Sequence, residues 1–243
     1  MFDIDHADIV VTHLCNNHCE HCIDKFINCS AEVIQVETVD KFLKMLREHT
    51  DKDLEVLLLG GEPTTAPVDK LVEIASVIHK YGFKAMISTN GKLKNRIIQL
   101  MDCFDSIQIT VDADDEETIN FWRPYANKVN MKVAADENFT WDKLQRFIER
   151  TKDFYRQSVC MYFTPDFQEL CTDKKIWELL DTLNWERNGS YMYAFNGKVR
   201  YKKCIPGETN VIDEPTVPKV YPNGNYNRTW NNEDLDDYIG GNW

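Results

Sequence analysis

Residues 13–22 of the chain read His13-Leu14-Cys15-Asn16-Asn17-His18-Cys19-Glu20-His21-Cys22. Three thiols stand within eight residues of this stretch, in the spacing Cys-x-x-x-Cys-x-x-Cys. Packing in a protein core does not require so many cysteines so close together. Thiolates select iron–sulfur clusters or zinc. Because closed sites of either kind use four ligands, three thiolates leave one coordination position open, as in catalytic zinc sites. We therefore predict that Cys15, Cys19 and Cys22 hold a metal centre that can bind a substrate.

A zinc site is the competing interpretation of the same stretch. Neutral imidazole is a good zinc ligand, so His13, His18 or His21 could complete a site begun by the cysteines. The polar residues around the thiols indicate a loop, which disfavours the view that the cysteines are buried core residues.

A second motif follows the apolar run Leu54 to Leu59 and reads Gly60-Gly61-Glu62-Pro63. Glycines let the backbone approach a ligand closely because they carry no Cβ, and a glutamate can accept hydrogen bonds from a ligand ammonium group. Taken alone, the four residues are typical of a simple turn. Their position, about forty residues after the cysteines and at a predicted strand end, favours a role in binding.

The two motifs together resemble those of the radical S-adenosylmethionine (radical SAM) superfamily. The resemblance implies a [4Fe-4S] cluster on Cys15, Cys19 and Cys22, whose open iron chelates S-adenosylmethionine. It also implies that Gly60 to Pro63 bind the methionine moiety. His21 occupies the position where members of the family usually carry an aromatic side chain near the adenine, although a surface histidine is an equal alternative.

Further cofactor contacts are expected at the ends of the next two strands. Thr89 and Asn90 end one strand, Thr110 and Asp112 end another, and hydroxyl and carboxylate groups suit a ribose. The resemblance favours ribose or methionine contacts from Thr110 and Asp112, and it favours Arg123 as a partner of the methionine carboxylate. The alternative is that Thr89-Asn90-Gly91 and Asp112 only form loops and caps, and that Arg123 is a solvated helix charge.

Strand and helix patterns alternate along most of the chain. The predicted strands are residues 7–12, 54–59, 83–88, 106–111, 129–134 and 158–163. The predicted helices begin at Thr38 as N-cap, Pro67, Leu93, Glu116, Thr140 and Asp173. The third is expected to continue to Phe104, and the fifth to Phe154. Such alternation predicts parallel strands with right-handed crossovers, in an open partial barrel or a wound sheet.

The resemblance selects the barrel, so the expected fold is α/β, a partial (β/α)6 TIM-like barrel with a small C-terminal β appendage. The appendage is predicted from Asn-Gly turns at Asn196-Gly197 and Asn223-Gly224. We expect residues 1–190 to form the core, and residues 191–243 to form hairpins and a tail. The stretch 219–230 is rich in aromatic and amide residues, and it is expected either to recognise the substrate or to cover the open edge of the barrel.

Composition narrows the classes of partner. The chain of 243 residues carries 28 basic and 40 acidic residues, a formal charge of −12, which disfavours polymeric nucleic acid. No apolar run approaches a membrane span, and the first residues do not resemble a signal peptide, so a cytoplasmic protein is expected. The other cysteines are Cys29, Cys103, Cys160, Cys171 and Cys204, and they are predicted to be mostly core residues. A minority alternative makes Cys171 or Cys204 a hydrogen-atom donor.

The predicted function is that of a radical SAM enzyme. An electron from a reductant such as flavodoxin or ferredoxin cleaves S-adenosylmethionine, and the 5′-deoxyadenosyl radical abstracts a hydrogen from the substrate. A peptide or protein is the favoured substrate. The alternatives are the same chemistry on a nucleoside, a nucleic-acid base or a small metabolite, and a zinc-binding module without catalysis.

Overall fold

The computed structural model describes residues 6–19, 22, 32–161, 170–188, 191–204, 218–224 and 226–227. Eleven strands lie within these ranges: β1 His6–Thr12, β2 Glu55–Gly60, β3 Lys84–Thr89, β4 Ser106–Val111, β5 Val129–Ala135, β6 Arg156–Met161, β7 Glu186–Asn188, β8 Tyr191–Asn196, β9 Val199–Cys204, β10 Lys219–Val220 and β11 Tyr226–Asn227. Six α-helices alternate with them: α1 Val36–His49, α2 Val68–Lys80, α3 Lys94–Leu100, α4 Glu116–Trp122, α5 Trp141–Thr151 and α6 Lys174–Asp181. Short 3₁₀ helices occupy Pro63–Thr65 and Arg123–Tyr125.

The chain divides into two compact units, and it passes from one to the other within β4. The first unit contains residues 1–107 and 210–243, with strand order β11-β10-β1-β2-β3. All neighbouring strands of this order are parallel except β10 and β11. Helices α1 and α2 provide the crossovers, and α1 buries the predicted stripe Val39, Phe42, Leu43 and Leu46.

The second unit contains residues 108–209, with strand order β5-β6-β9-β8-β7 beside the β4 segment. Strand β6 is parallel to both β5 and β9, whereas β8 is antiparallel to β9 and to β7. Large apolar side chains form its core, among them Trp122, Phe147 and Phe154, each at most 1% exposed. The mixed α/β class with mostly parallel strands is therefore as predicted.

Several boundaries differ from the prediction. Helix α1 begins at Val36, because the carbonyl of Gln35 accepts hydrogen bonds from the N–H groups of both Thr38 and Val39. Thr38 therefore lies in the first turn, and its prediction as N-cap was wrong. Helix α3 ends at Leu100 and α5 at Thr151, so each is shorter than predicted.

Strand β6 also begins earlier than predicted, at Arg156 instead of Ser158. Phe154 lies outside α5 yet is still buried, so its apolar character signalled the core correctly but not the helix. The last two residues of the predicted strand, 162 and 163, lie outside the described residues.

The two Asn-Gly turns are formed as predicted. Gly197 joins β8 to β9 with φ +60°, and Gly224 lies between β10 and β11 with φ +86°. Each hairpin also pairs directly with a core strand, since β9 is parallel to β6 and β10 is parallel to β1. The division between core and C-terminal hairpins at residue 190 stays a prediction.

Strand β10 is attached to β1 by more than its backbone. Lys219 and Asp8 form a buried ion pair, with Nζ 3.6 Å from Oδ2 and side-chain exposures of 3% and 5%. Tyr221 stacks on His13, with ring centroids 6.3 Å apart. These contacts favour the covering role that was one of two expectations for residues 219–230. The rest of that segment, beyond residue 227, lies outside the described residues.

Among the helices in the described ranges, none has the length and apolar content needed to cross a bilayer. The cytoplasmic location stays a prediction.

Candidate active site

The predicted metal-binding cysteines lie in the loop that follows β1. Cys15 and Cys22 are half-buried, and Cys19 is exposed. The N–H of Cys22 donates a 3.3 Å hydrogen bond to the carbonyl of Cys19, so the backbones of the second and third cysteines are in direct contact. The loop begins with the N–H of Leu14 on the hydroxyl of Thr12, which is fully buried.

Two hydrogen bonds from Asn17 point at sulfur atoms. Its backbone N–H donates to Sγ of Cys15 at 3.4 Å, and its Nδ2 donates to Sγ of Cys19 at 3.1 Å. Lys92 in turn donates from Nζ to the Asn17 amide oxygen at 2.7 Å. Donors of this kind stabilise negative charge on sulfur and so favour the thiolate, which is the form of cysteine that binds metal.

Burial raises the pKa of the Cys15 thiol. The hydrogen bond from Asn17 lowers that pKa, while the negative charges of Glu62, Cys19 and Cys22 raise it further. Cys15 is therefore close enough to the other two cysteines and to Glu62 for their charges to affect its pKa. A bound metal cation would lower the pKa of the thiol instead, because its positive charge favours the thiolate form.

The second motif docks directly on the start of the cysteine loop. The N–H of Gly61 donates to the carbonyl of Thr12, and the N–H of Glu62 donates to that of Leu14, both at 2.8 Å. A Cβ on Gly61 would stand 2.5 Å from the carbonyl oxygens of His13 and Leu14. Residues 60–61 are therefore glycine because the backbone of the cysteine loop passes against them. The prediction named a ligand as the reason for this close approach, and the role of Gly60 and Gly61 toward a ligand stays a prediction.

The carboxylate of Glu62 is buried, 1% exposed, and joins two strand ends. Its Oε1 accepts hydrogen bonds from the N–H and hydroxyl of Thr64, at 3.1 and 2.5 Å, and from the hydroxyl of Thr89 at 2.6 Å. Its Oε2 accepts one from the N–H of Asn90 at 2.7 Å. Among the described residues Oε2 accepts this single hydrogen bond, and because a carboxylate oxygen can accept at least two, it has room for a further donor.

Asn90 continues this network to the cysteine loop. Its Nδ2 donates to the side-chain oxygen of Asn16 at 2.7 Å. The ends of β1, β2 and β3 are thus linked through Asn16, Glu62 and Asn90, as expected where parallel strands end at one edge. Pro63 is buried beside them and opens the 3₁₀ helix that Glu62 caps.

Three predicted cofactor residues lie in the second unit. Thr110 is half-buried in β4, and Asp112 is exposed and accepts a 2.9 Å hydrogen bond from the N–H of Asp114. Arg123 is exposed and pairs with Asp153 at 3.0 Å. These contacts match the alternative expectations of a loop-forming aspartate and a surface charge. The role of all three toward a cofactor stays a prediction.

Two of the other predicted residues, His21 and Cys29, lie outside the described residues, as does the side chain of Cys204. Cys160 and Cys171 are buried core residues, as predicted.

Sequence reasoning missed several residues that build the site. Among them are Asn17, Lys92 and Thr64, although amides in a cysteine loop and a threonine after Glu-Pro are suitable donors. Arg96 was also missed. Its Nη1 donates to the carbonyls of Thr64 and Thr65, at 2.9 and 3.0 Å, and so ties the segment after Glu62 to α3.

The chemistry of the donor set fits an iron–sulfur cluster. The three thiols share one loop, and two of them already accept hydrogen bonds of the kind that support ligating sulfur. Among the described residues, which include Cys15, Cys19 and Cys22, no three His, Cys, Asp or Glu side chains stand together in positions that could hold a metal ion. His13, a candidate for the zinc alternative, is 8% exposed and stacked on Tyr221, and His18 is exposed.

Comparison with known families decides the assignment. The family model of the radical SAM superfamily matches residues 9–166, which include both motifs, most of β1 and strands β2 to β6. The chain belongs to the radical SAM superfamily. It is therefore an enzyme of a family that uses a [4Fe-4S] cluster and S-adenosylmethionine, so the predicted family, enzyme class and cofactors are confirmed.

Relatives of this radical SAM protein differ in their substrates. It is 31% identical over 114 residues to the S-adenosylmethionine-dependent nucleotide dehydratase of Thermoplasmatales archaeon (strain ISO4-H5). It is 27% identical over 124 residues to the S-adenosyl-L-methionine-dependent tRNA 4-demethylwyosine synthase of Pyrococcus abyssi (strain GE5 / Orsay). These matches cover 45% and 50% of the chain but only 38% and 32% of the relatives, so the chain spans about a third of each.

Solved radical SAM structures share the fold. His6-tagged anSMEcpe with bound AdoMet superposes with a TM-score of 0.56 at 15% identity, over 68% of this chain and 53% of that one. Streptococcus suis SuiB bound to precursor peptide SuiA gives a TM-score of 0.61 at 10% identity, over 99% of this chain and 62% of that one. The predicted fold class is confirmed by these matches.

Proposed function

We propose that Cys15, Cys19 and Cys22 hold the cluster, and that the chain uses it to cleave S-adenosylmethionine and start radical chemistry on a substrate. The supporting observation is the contact between the two motifs. The N–H groups of Gly61 and Glu62 bind the carbonyls of Thr12 and Leu14, which fixes the cysteine loop against the segment proposed to hold methionine.

When bound, the cluster supplies the electron that breaks S-adenosylmethionine into methionine and a 5′-deoxyadenosyl radical, which then takes a hydrogen atom from the substrate. Asn17 stabilises the negative charge on the sulfurs of Cys15 and Cys19 through its two N–H donors. The electron is proposed to come from a protein such as flavodoxin or ferredoxin.

Glu62 is proposed to bind the ammonium group of the methionine moiety. Its carboxylate is already oriented by Thr64, Thr89 and Asn90, so little side-chain freedom is lost when a ligand binds. The free acceptor position is on Oε2, which accepts one hydrogen bond. Thr89 and Asn90 then act chiefly by orienting Glu62.

Two substrate classes follow from different observations. A peptide or protein is supported by the resemblance of the segment from Gly60 to Gly91 to peptide-modifying enzymes. A nucleotide is supported by the 31% identical relative, which acts on nucleotides, and by a cationic face in the second unit that is described below. Modification of a peptide is the function that we propose first, and the nucleotide is the second candidate.

The radical chemistry can be tested without knowledge of the substrate. The protein is reconstituted with iron and sulfide without air, reduced with dithionite and mixed with S-adenosylmethionine. We expect 5′-deoxyadenosine and methionine to accumulate, and Glu62→Gln, which removes the negative charge but keeps an acceptor oxygen, to reduce the binding of S-adenosylmethionine. A protein that contains zinc but no sulfide, and that forms no 5′-deoxyadenosine, would support the zinc-binding alternative instead.

A further inference from the structure

Strands β5, β6 and β9 carry a row of polar and cationic residues on one face of the second unit. In the parallel register Lys132 stands beside Ser158, and Ser158 stands beside Arg200, so all three side chains share that face. Two strand spacings of about 4.8 Å separate the backbones of Lys132 and Arg200 by roughly 10 Å. Long side chains at that separation can reach the same anionic group or two linked ones. Lys202, two residues after Arg200, extends the row.

Arg200 is held in place by an amide oxygen and an aromatic ring. Its Nη2 donates to the side-chain oxygen of Gln108 at 3.4 Å, and its guanidinium lies 5.5 Å from the centre of the Tyr193 ring. Its Nε is buried and donates to nothing among the described residues. No carboxylate in the described part of the chain pairs with Arg200 or with Lys132, and both are half-buried. A partly desolvated cation without a counter-charge favours the binding of an anion.

A buried amide network fixes the position of Arg200. Nδ2 of Asn130 donates to the side-chain oxygen of Gln108 at 3.3 Å. The hydroxyl of Ser158 donates to the side-chain oxygen of Asn130 at 3.2 Å. Gln108, Asn130 and Ser158 are 7%, 1% and 1% exposed. Such polar groups within a sheet are costly unless every member is paired. The network fixes the Gln108 side-chain oxygen that accepts from Arg200, and in this way it orients the guanidinium.

Aromatic side chains border the cations on the same face. In the antiparallel pair β8 and β9, Phe195 stands opposite Arg200 and Tyr193 stands opposite Lys202. The Lys202 ammonium lies 5.7 Å from the Tyr193 ring centre, and Phe195 is 56% exposed despite its size. Aromatic rings beside cations are the combination that binds a base by stacking and its phosphates by charge.

We propose that this face binds a nucleotide, with Lys132, Arg200 and Lys202 on its phosphates and Tyr193 or Phe195 against its base. The proposal rests on the proposed function insofar as the nucleotide is the substrate of the radical, and it selects the second candidate class. A small molecule fits better than a polymer, because the chain carries a net charge of −12 and would repel a long phosphate backbone.

The proposal is tested by binding alone. The anaerobically prepared holoenzyme, without reductant, is titrated by calorimetry with the four ribonucleoside triphosphates, inorganic triphosphate, the four ribonucleosides and an acidic peptide. We expect a nucleoside triphosphate to bind, and inorganic triphosphate and the ribonucleosides to bind more weakly, since each carries half of the recognised chemistry. Lys132→Gln and Arg200→Gln should each weaken nucleotide binding by about tenfold, the typical effect of losing one charge-assisted contact.

Lys203→Gln is the matched control. Lys203 is the next residue along β9, so its side chain points to the opposite face, where its ammonium lies 4.3 Å from the Trp185 ring centre. This variant should bind the nucleotide as the native chain does. Arg200→Lys keeps the charge and should recover part of the affinity that Arg200→Gln loses. Far-UV circular dichroism reports whether Arg200→Gln is folded.

Three results would overturn the proposal: no nucleotide binding, equal losses in Lys203→Gln and Lys132→Gln, or tighter binding of the acidic peptide than of any nucleotide. Failure of the radical chemistry is distinguishable, because it would appear as an absence of 5′-deoxyadenosine while nucleotide binding persists.

Discussion

The backbone N–H of Asn90 donates a 2.7 Å hydrogen bond to Oε2 of Glu62, and so joins the loop after β3 to the loop after β2. Because Asn90 also binds Asn16 beside the cysteines, the glutamate of the second motif is part of the support for the cysteine loop. Glu62, which was predicted to bind a ligand, therefore also has a structural role.

Glu62→Ala should destabilise the protein strongly. The change leaves the N–H groups of Thr64 and Asn90 and the hydroxyl of Thr89 without their acceptor in a buried site, at a cost of at least about 3 kcal/mol in the free energy of unfolding. Urea denaturation measures it. Glu73→Ala, at an exposed position of α2, should cost less than about 0.5 kcal/mol. Equal losses in the two variants would contradict the network.

Gly61→Ala should displace the cysteine loop. Its Cβ would stand 2.5 Å from two carbonyl oxygens of that loop, so the backbone must move apart. We expect the iron content after anaerobic reconstitution to fall well below that of the native chain. The control is Gly197→Ala, where φ is +60° but no atom lies within 4 Å, so only backbone strain of about 1 kcal/mol is added. Full iron content in Gly61→Ala would show that the close approach is not needed.

Lys219→Met should destabilise the protein more than the loss of a surface charge does. Asp8 would remain buried without its cation, which costs about 3 kcal/mol. Asp8→Asn combined with Lys219→Met should recover part of this loss, because no unpaired charge then remains. Lys80→Met breaks an exposed pair with Asp40 and should have a much smaller effect. Additive losses in the double variant would mean that the pair does not interact.

Asp173 should make stability depend on acid pH. Backbone hydrogen bonds from Trp141, Lys175 and Ile176 hold the pKa of its carboxyl below the ordinary value of 3.8. Because the pKa is lowered on folding, the contribution is fully present above 3.8 and is lost as the pH falls through the folded value. Asp173→Asn keeps only one of the two acceptor oxygens that bind the N–H groups of Trp141 and Lys175, so the native chain should be about 1 kcal/mol more stable at neutral pH.

The measurement for Asp173 is urea denaturation of both chains across the acid range. The difference between them should shrink as the pH falls below 3.8. Asp181→Asn, at an exposed position near the end of α6, serves as the charge control and should show no such change. A difference between native chain and Asp173→Asn that stays constant with pH would contradict the assignment.

The sequence predicted what depends on local pattern. Helix α4 and strand β4 occupy the predicted residues, because apolar spacing and a capping aspartate define them locally. Helix α1 begins earlier than Thr38, since any carbonyl can accept the first helical bonds, and here Gln35 does so. Local sequence signals thus predict the presence of an element more reliably than the residues at which it begins and ends.

The candidate site was predictable only where a motif marks it. The cysteines and Gly60 to Glu62 carry such a motif, and the structure brings their loops together. Lys92 and Asn17 lie 75 residues apart in the chain, and their contact depends on the meeting of two strand ends. The same holds for Arg200 and Gln108, 92 residues apart, whose pairing requires the order of β4, β6 and β9. No single-sequence pattern encodes contacts of that range.

The most direct test of the account is the iron and acid-labile sulfide content of cysteine variants prepared without air. The native chain and Cys103→Ala, which changes a half-buried thiol outside the loop, should each hold about four iron and four sulfide per chain. Cys15→Ser, Cys19→Ser and Cys22→Ser should each lose the cluster and form no 5′-deoxyadenosine. Zinc without sulfide in the native chain, or an intact cluster in any of the three variants, would contradict the central claim.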